Sequence, residues 1–350
     1  MGCGIPSGMF PMVCSLAILI KEQAIRDASH SYTYTHCIKS GRSAMLHPKI
    51  LVPVDFSELS EHALQAANTF ARQFEGSVTP FHAYIPVTDL DGFYYVGSGI
   101  TPHEKYSEIE KVLHERLLEI AGKHIQPELL SPPQLDVGNP ARAIIHTSNQ
   151  FDLVIMSTHG RTGFSRFVMG SVTEKVLRMC KKPMITVTGE SDLGDLTSLL
   201  VTTDFSENSH RVFPFAGSIA EGTGGTIDLV HIVSDEQFFD SGAAEETANK
   251  RKKEIEDLAD THFRHIRKRV NPRIVVGNRA PYAEIEHLAH EKGYHLVLLS
   301  SVGRTGLDYL MMGSTASHVV RRVKNAVFTI NPHGISPEKA RKLHYQYRQM

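Results

Sequence analysis

Ser157-Thr158-His159-Gly160-Arg161-Thr162-Gly163, then six residues, then Gly170-Ser171, returns about 145 residues later as Ser300-Ser301-Val302-Gly303-Arg304-Thr305-Gly306, six residues, Gly313-Ser314. Nine residues lie between Gly160 and Gly170, and nine between Gly303 and Gly313. Each stretch follows an apolar run that reads as a buried strand, Leu153-Val154-Ile155-Met156 and Leu296-Val297-Leu298-Leu299, and each precedes a helix-like segment. Strand, glycine loop and helix in that order aim backbone N–H groups at an anion.

Working outward, Ile50-Leu51-Val52-Pro53-Val54-Asp55-Phe56-Ser57-Glu58 is echoed by Leu199-Leu200-Val201-Thr202-Thr203-Asp204-Phe205-Ser206-Glu207, and Val137-Gly138-Asn139 by Val276-Gly277-Asn278. Corresponding features in one order make an internal duplication. The expected organisation is a poorly ordered extension over 1–45, domains over 46–190 and 195–333, and a C-terminal helical tail over 334–350. Met9 to Ile20 is apolar but only about half of what a bilayer span needs, and its first charge, Lys21, follows the run rather than preceding it as a secretory signal requires. The extension is therefore read as the product of an upstream start, Met45 standing just ahead of the first strand, in preference to a targeting segment.

The chain of 350 residues is 41% hydrophobic and 21% charged, enough for two packed domains, and its net charge of -1 gives nucleic acid or an anionic membrane no general attraction. Its 4 cysteines form no CxxC pair, which points to a reducing cytoplasm.

In the first domain, strands are expected at Ile50–Val54, Val78–Tyr84, Leu135–Val137, Leu153 onward and Met184–Thr188, alternating with helices. The first helix is expected to end at Gly76, and an irregular loop to run from Pro86 to Pro102. The second domain repeats the set at Leu199–Thr203, Ile227–Val233, Arg273–Val276, Leu296–Leu299 and Ala326–Ile330. The fold class is α/β: two tandem, doubly wound, mainly parallel five-stranded sheets of order 3-2-1-4-5. The fifth strands are apolar edges, expected to pair across a pseudo-two-fold axis, with further homodimerisation left open. Lysines at Val187 and Ile330 are expected to separate the domains without unfolding either.

In such a sheet a ligand sits beyond the carboxyl ends of the strands where their order reverses. Asp55 and Asp204 then face a base or ribose, while Gly160, Gly170 and Ser171, with Gly303, Gly313 and Ser314 in the second copy, hold phosphates. Against this, Ser171-Val172-Thr173-Glu174 is a sound capping box, so Ser171 can serve only to satisfy helix amides and the glycines only to turn the chain. Repetition of the spacing beside two Asp-Phe-Ser segments favours the ligand.

On these residues both halves resemble universal stress protein domains, whose ATP-binding members carry Gly-x-x-Gly, nine residues, then Gly-Ser or Gly-Thr, and a first strand ending in Asp. The resemblance implies a tandem member of that family, with adenine-side aspartates at Asp55 and Asp204 and phosphate-side residues at Gly160, Gly170, Ser171, Gly303, Gly313 and Ser314. Ser157 and Ser300 stand where the family has its first glycine, and Val302 stands where the first half has His159. The function expected is a stress-linked sensor or scaffold that binds ATP, with or without Mg2+, and lacks a catalytic residue. A slow nucleotide hydrolase or transferase on the same sheet, and a nucleotide-free interaction protein, are the alternatives.

Other signals are weaker. His82 and His231 hold equivalent places in the second strands and read as core or crevice-lining residues. His262, His265, His287 and His290 form no metal-binding spacing and read as solvated helix faces. Gly222-Thr223-Gly224-Gly225 precedes a strand and reads as a turn, and no P-loop or Gly-x-Ser-x-Gly motif is present.

Overall fold

The computed structural model describes residues 47–85, 102–159, 169–234, 241–302 and 312–331. The extension, the 86–101 loop, Gly160, Gly303 and the tail therefore lie outside the described residues.

The first half runs β1 (Lys49–Pro53), α1 (Glu58–Phe74), β2 (Ser77–Tyr84), α2 (Pro102–His124), β3 (Gln134–Val137), α3 (Pro140–Thr147), β4 (Leu153–Ser157), α4 (Ser171–Met179) and β5 (Met184–Val187). The second runs β6 (Ser198–Thr202), α5 (Glu207–His210), α6 (Phe213–Thr223), β7 (Thr226–Ser234), α7 (Ser241–His262), β8 (Val270–Gly277), α8 (Pro281–Lys292), β9 (Leu296–Ser300), α9 (Ser314–Arg322) and β10 (Ala326–Ile330). All ten strands form one sheet, ordered β3-β2-β1-β4-β5-β10-β9-β6-β7-β8. Each half has the expected order, and every pairing within a half is parallel.

The halves meet where the sequence places its two apolar edges. Val327, Phe328 and Thr329 of β10 pair antiparallel with Thr186, Ile185 and Met184 of β5. One buried cluster continues through the seam, joining Leu51, Val154 and Met184 to Leu200, Val297 and Val327. Polar contacts reinforce it: the Thr188 and Ser191 hydroxyls donate to the Lys324 carbonyl at 3.1 and 2.8 Å, and Lys324 pairs with Glu190 at 2.6 Å.

One local expectation is corrected. The left-handed residue ending α1 is Glu75 (φ 51°), not Gly76. Gly76 is needed instead for close approach, because a Cβ there would lie 2.6 Å from the Pro48 carbonyl oxygen. In the second half the two tasks fall to adjacent glycines: Gly224 takes φ 72°, and a Cβ on Gly225 would lie 2.7 Å from the Thr197 carbonyl oxygen. The helix after β6 is also interrupted between α5 and α6, since Pro214 lacks an N–H and clashes in a helix interior but is accepted in the first turn of a new helix.

Val187 and Ile330 are 1% and 3% exposed. Lysine at both would bury charge without a partner in the two strands that join the halves. The double variant is thus expected to lose the folded state of both halves together, seen as collapse of the far-ultraviolet circular dichroism signal. Scattering that showed two intact, separated domains would contradict the shared core.

Candidate functional site

The sites are built on the turns that leave the first and fourth strands of each half. After β1, the Asp55 carboxylate accepts from the Ser57 amide at 3.1 Å and from its hydroxyl at 2.5 Å. After β6, Asp204 accepts from the Ser206 amide at 3.0 Å and hydroxyl at 2.5 Å. Ser57 and Ser206 in turn cap α1 and α5. Both aspartates therefore have a turn-building task besides any ligand.

The residue after each aspartate is a phenylalanine in the left-handed region, Phe56 at φ 62° and Phe205 at φ 65°. That conformation costs an ordinary L-residue roughly 1–2 kcal/mol. It brings the rings to 4.5 Å from the imidazoles of His82 and His231 respectively. The imidazoles are themselves held by the Val54 carbonyl at 2.6 Å and the Thr203 carbonyl at 2.8 Å; a carbonyl only accepts, so each Nδ1 carries the hydrogen. Arg116 lies over Phe56 at 4.6 Å and Arg251 over Phe205 at 4.8 Å. The histidine equivalence was legible in the repeat. The phenylalanine conformation and the arginines were not.

At the fourth strands, Ser157 and Ser300 turn their hydroxyls onto the carbonyls two residues ahead, His159 at 2.7 Å and Val302 at 2.9 Å. The departing loops return to Gly170 and Gly313, whose amides donate to the Thr158 and Ser301 carbonyls at 2.9 and 2.8 Å. These glycines are the caps of α4 and α9, and neither helix has a side-chain capping bond. Ser171 and Ser314 are the first helical residues, both exposed, so the capping box read at Ser171 is not formed: the serine lies one position too far into the helix. Nor is glycine demanded by the backbone, since φ is -58° at Gly170 and -56° at Gly313. A Cβ on Gly170 would meet nothing nearer than the Thr158 oxygen at 3.4 Å.

In the second half these pieces enclose a crevice of about 450 Å³, lined by Asp204, His231, Thr247 and Arg251 and by Ser300, Gly313 and Ser314. Four of the five site residues expected there are thus brought together; Gly303 lies outside the described residues. In the first half Asp55 follows β1 and Ser157 ends its neighbour β4, and the Thr173 hydroxyl ties α4 to the Ser157 carbonyl at 3.0 Å. Among the described residues no cluster of three or more metal-ligating side chains occurs.

Fold and site together define a tandem α/β protein with two doubly wound halves and a helix-terminated crevice. The sequence model of the universal stress protein family matches residues 47–188 and again 196–331. The chain belongs to that family. A universal stress protein of Methanocaldococcus jannaschii is 28% identical over 174 residues, covering 48% of this chain and 96% of the relative. One of Mycolicibacterium smegmatis is 24% identical over 296 residues, covering 81% of this chain and 97% of the relative. The crystal structure of a universal stress protein from Archaeoglobus fulgidus shares the fold at TM-score 0.57 and 22% identity, covering 83% of this chain and 99% of that one.

The halves differ beside the crevice. In the first, Glu61 of α1 bonds His124 at the end of α2 at 2.6 Å. At the matching contact of the second, His210 faces His262, with ring centres 5.4 Å apart and Phe213 against both. His262 stays exposed, as expected of a helix face, while one side of its ring rests on His210 and Phe213. Burial pushes both imidazoles below the ordinary value of 6.5, that of His210 despite nearby Asp204, Glu207 and Glu254. The folded chain then binds fewer protons than the unfolded one, so stability is complete above that value and is lost as pH falls through it. The denaturation midpoint is expected to drop as pH falls below the ordinary histidine value of 6.5. His210→Glu, which recreates the first-half pair, should flatten that drop; an unchanged slope would assign the acid sensitivity elsewhere.

Proposed function

We propose that each crevice binds an adenine nucleotide, ATP in the first instance, and that the chain works as a nucleotide-binding sensor or scaffold in a cytoplasmic stress response. The observation that carries this reading is a nine-residue helix begun by a glycine that neither backbone angle nor packing requires. With no side-chain cap at Gly170 or Gly313, the first-turn amides of α4 and α9 suit an anionic ligand, and the absent side chain lets it approach the backbone. The crevice volume lies in the range of small-molecule sites. Asp55 and Asp204 are assigned to the base or ribose end, and Ser171 and Ser314 to the phosphates, with Mg2+ bound through the phosphates if at all.

Ser157 and Ser300, assigned to the site with the glycines, turn their hydroxyls onto carbonyls of their own loops. The same observation favours the nucleotide-free alternative in which the crevice has become structural. Calorimetric titration with ATP separates the two through stoichiometry: two sites, one, or none.

Gly170→Val is expected to weaken ATP binding at the first site at least about tenfold, by displacing charge-assisted contacts to the helix amides, while leaving the second intact. Because the Cβ position is open to 3.4 Å, the variant should fold. Unaltered affinity in the folded variant would remove the phosphate assignment. Turnover well above about 1 per second would favour the hydrolase alternative instead.

A further inference from the structure

Arg251 and Arg116 occupy the same place in the two halves without being the same residue of the repeat. The buried faces of α2 and α7 align Leu117 with Ile255, Ala121 with Ala259 and Ile125 with Phe263. In that register Arg116 corresponds to Glu254, and Arg251 stands one helical turn earlier, opposite Leu113. Yet each guanidinium lies over the phenylalanine that follows the aspartate, at 4.6 and 4.8 Å. Copying of an ancestral half does not account for a cation that reaches one spot from two helix positions. The phenylalanines are also held left-handed in both halves, and strain kept in this way marks functional positions. Arg251 is steadied by Glu254 of its own helix and lines the crevice beside Asp204.

We propose that Arg251, and Arg116 in the first half, are ligand-binding residues that stack on the planar base of the nucleotide. A guanidinium has two faces; with one on the phenylalanine, the other is available to a heteroaromatic ring, as a lysine ammonium would not be. The base is thereby placed on an arginine that itself rests on phenylalanine, with the aspartate at its edge. This rests on the nucleotide reading above and adds a contact that is independent of phosphate.

The test is titration of the parent, Arg251→Met and Arg251→Lys with ATP and with adenosine, each variant first checked for an unchanged melting midpoint. At the second site Arg251→Met should bind both ligands about tenfold more weakly and by the same factor, and Arg251→Lys should recover little of the loss. Arg116→Met should do the same at the first site, which gives an arm independent of the folding of the Arg251 variants. Full-affinity binding by both methionine variants would overturn the stacking role while leaving the nucleotide reading in place. Loss for ATP alone would also overturn it, by placing arginine on the phosphates. A parent that binds neither ligand would remove both proposals.

Discussion

The antiparallel pairing of β5 with β10 is the interaction on which the rest of the molecule depends. Each half alone would leave a strand of apolar residues with open backbone donors and acceptors. Joined, Met184, Ile185 and Thr186 satisfy Thr329, Phe328 and Val327, and the cores beneath become one. The seam also sets the helices α4 and α9 near each other, where Arg321 of α9 approaches Glu174 of α4 at 3.8 Å and the Asn331 amide donates to the Arg178 carbonyl at 2.7 Å. Site geometry and seam geometry are thus built from the same few elements.

Much of this was legible because duplication turns weak signals into strong ones. A lone glycine loop says little, but two with equal spacing, each paired with an Asp-Phe-Ser turn, specify strand order, crevice and the seam at the fifth strands by topology alone. What was hidden lies where the halves stop matching. Arg251 cannot be found by superposing the repeats, because its partner position holds Leu113. The left-handed Phe56 and Phe205 carry no sequence mark, since left-handed backbone is ordinarily read from glycine or asparagine.

The misplacement of the α4 cap has a similar cause. Ser171-Val172-Thr173-Glu174 satisfies the capping pattern, but the Gly170 amide is drawn back to the Thr158 carbonyl at 2.9 Å, which fixes the glycine and not the serine as the last non-helical residue. A tertiary hydrogen bond outweighed a local preference. The helix amides that a cap would have covered are the ones that the proposed ligand needs.

The seam is covalently guaranteed, and that frees its two sides from each other. In an assembly of identical subunits every substitution is written into both copies, so a change that helps one site and harms the other has no route to fixation. Here the two strands meet at an effective concentration set by the linker rather than by the amount of protein, and dilution does not separate them. Each half can therefore vary while its companion holds the pair together. The exchange of Glu61 for His210 at one contact, and the arrival of arginine from different turns of α2 and α7, are the form that such freedom takes in this chain.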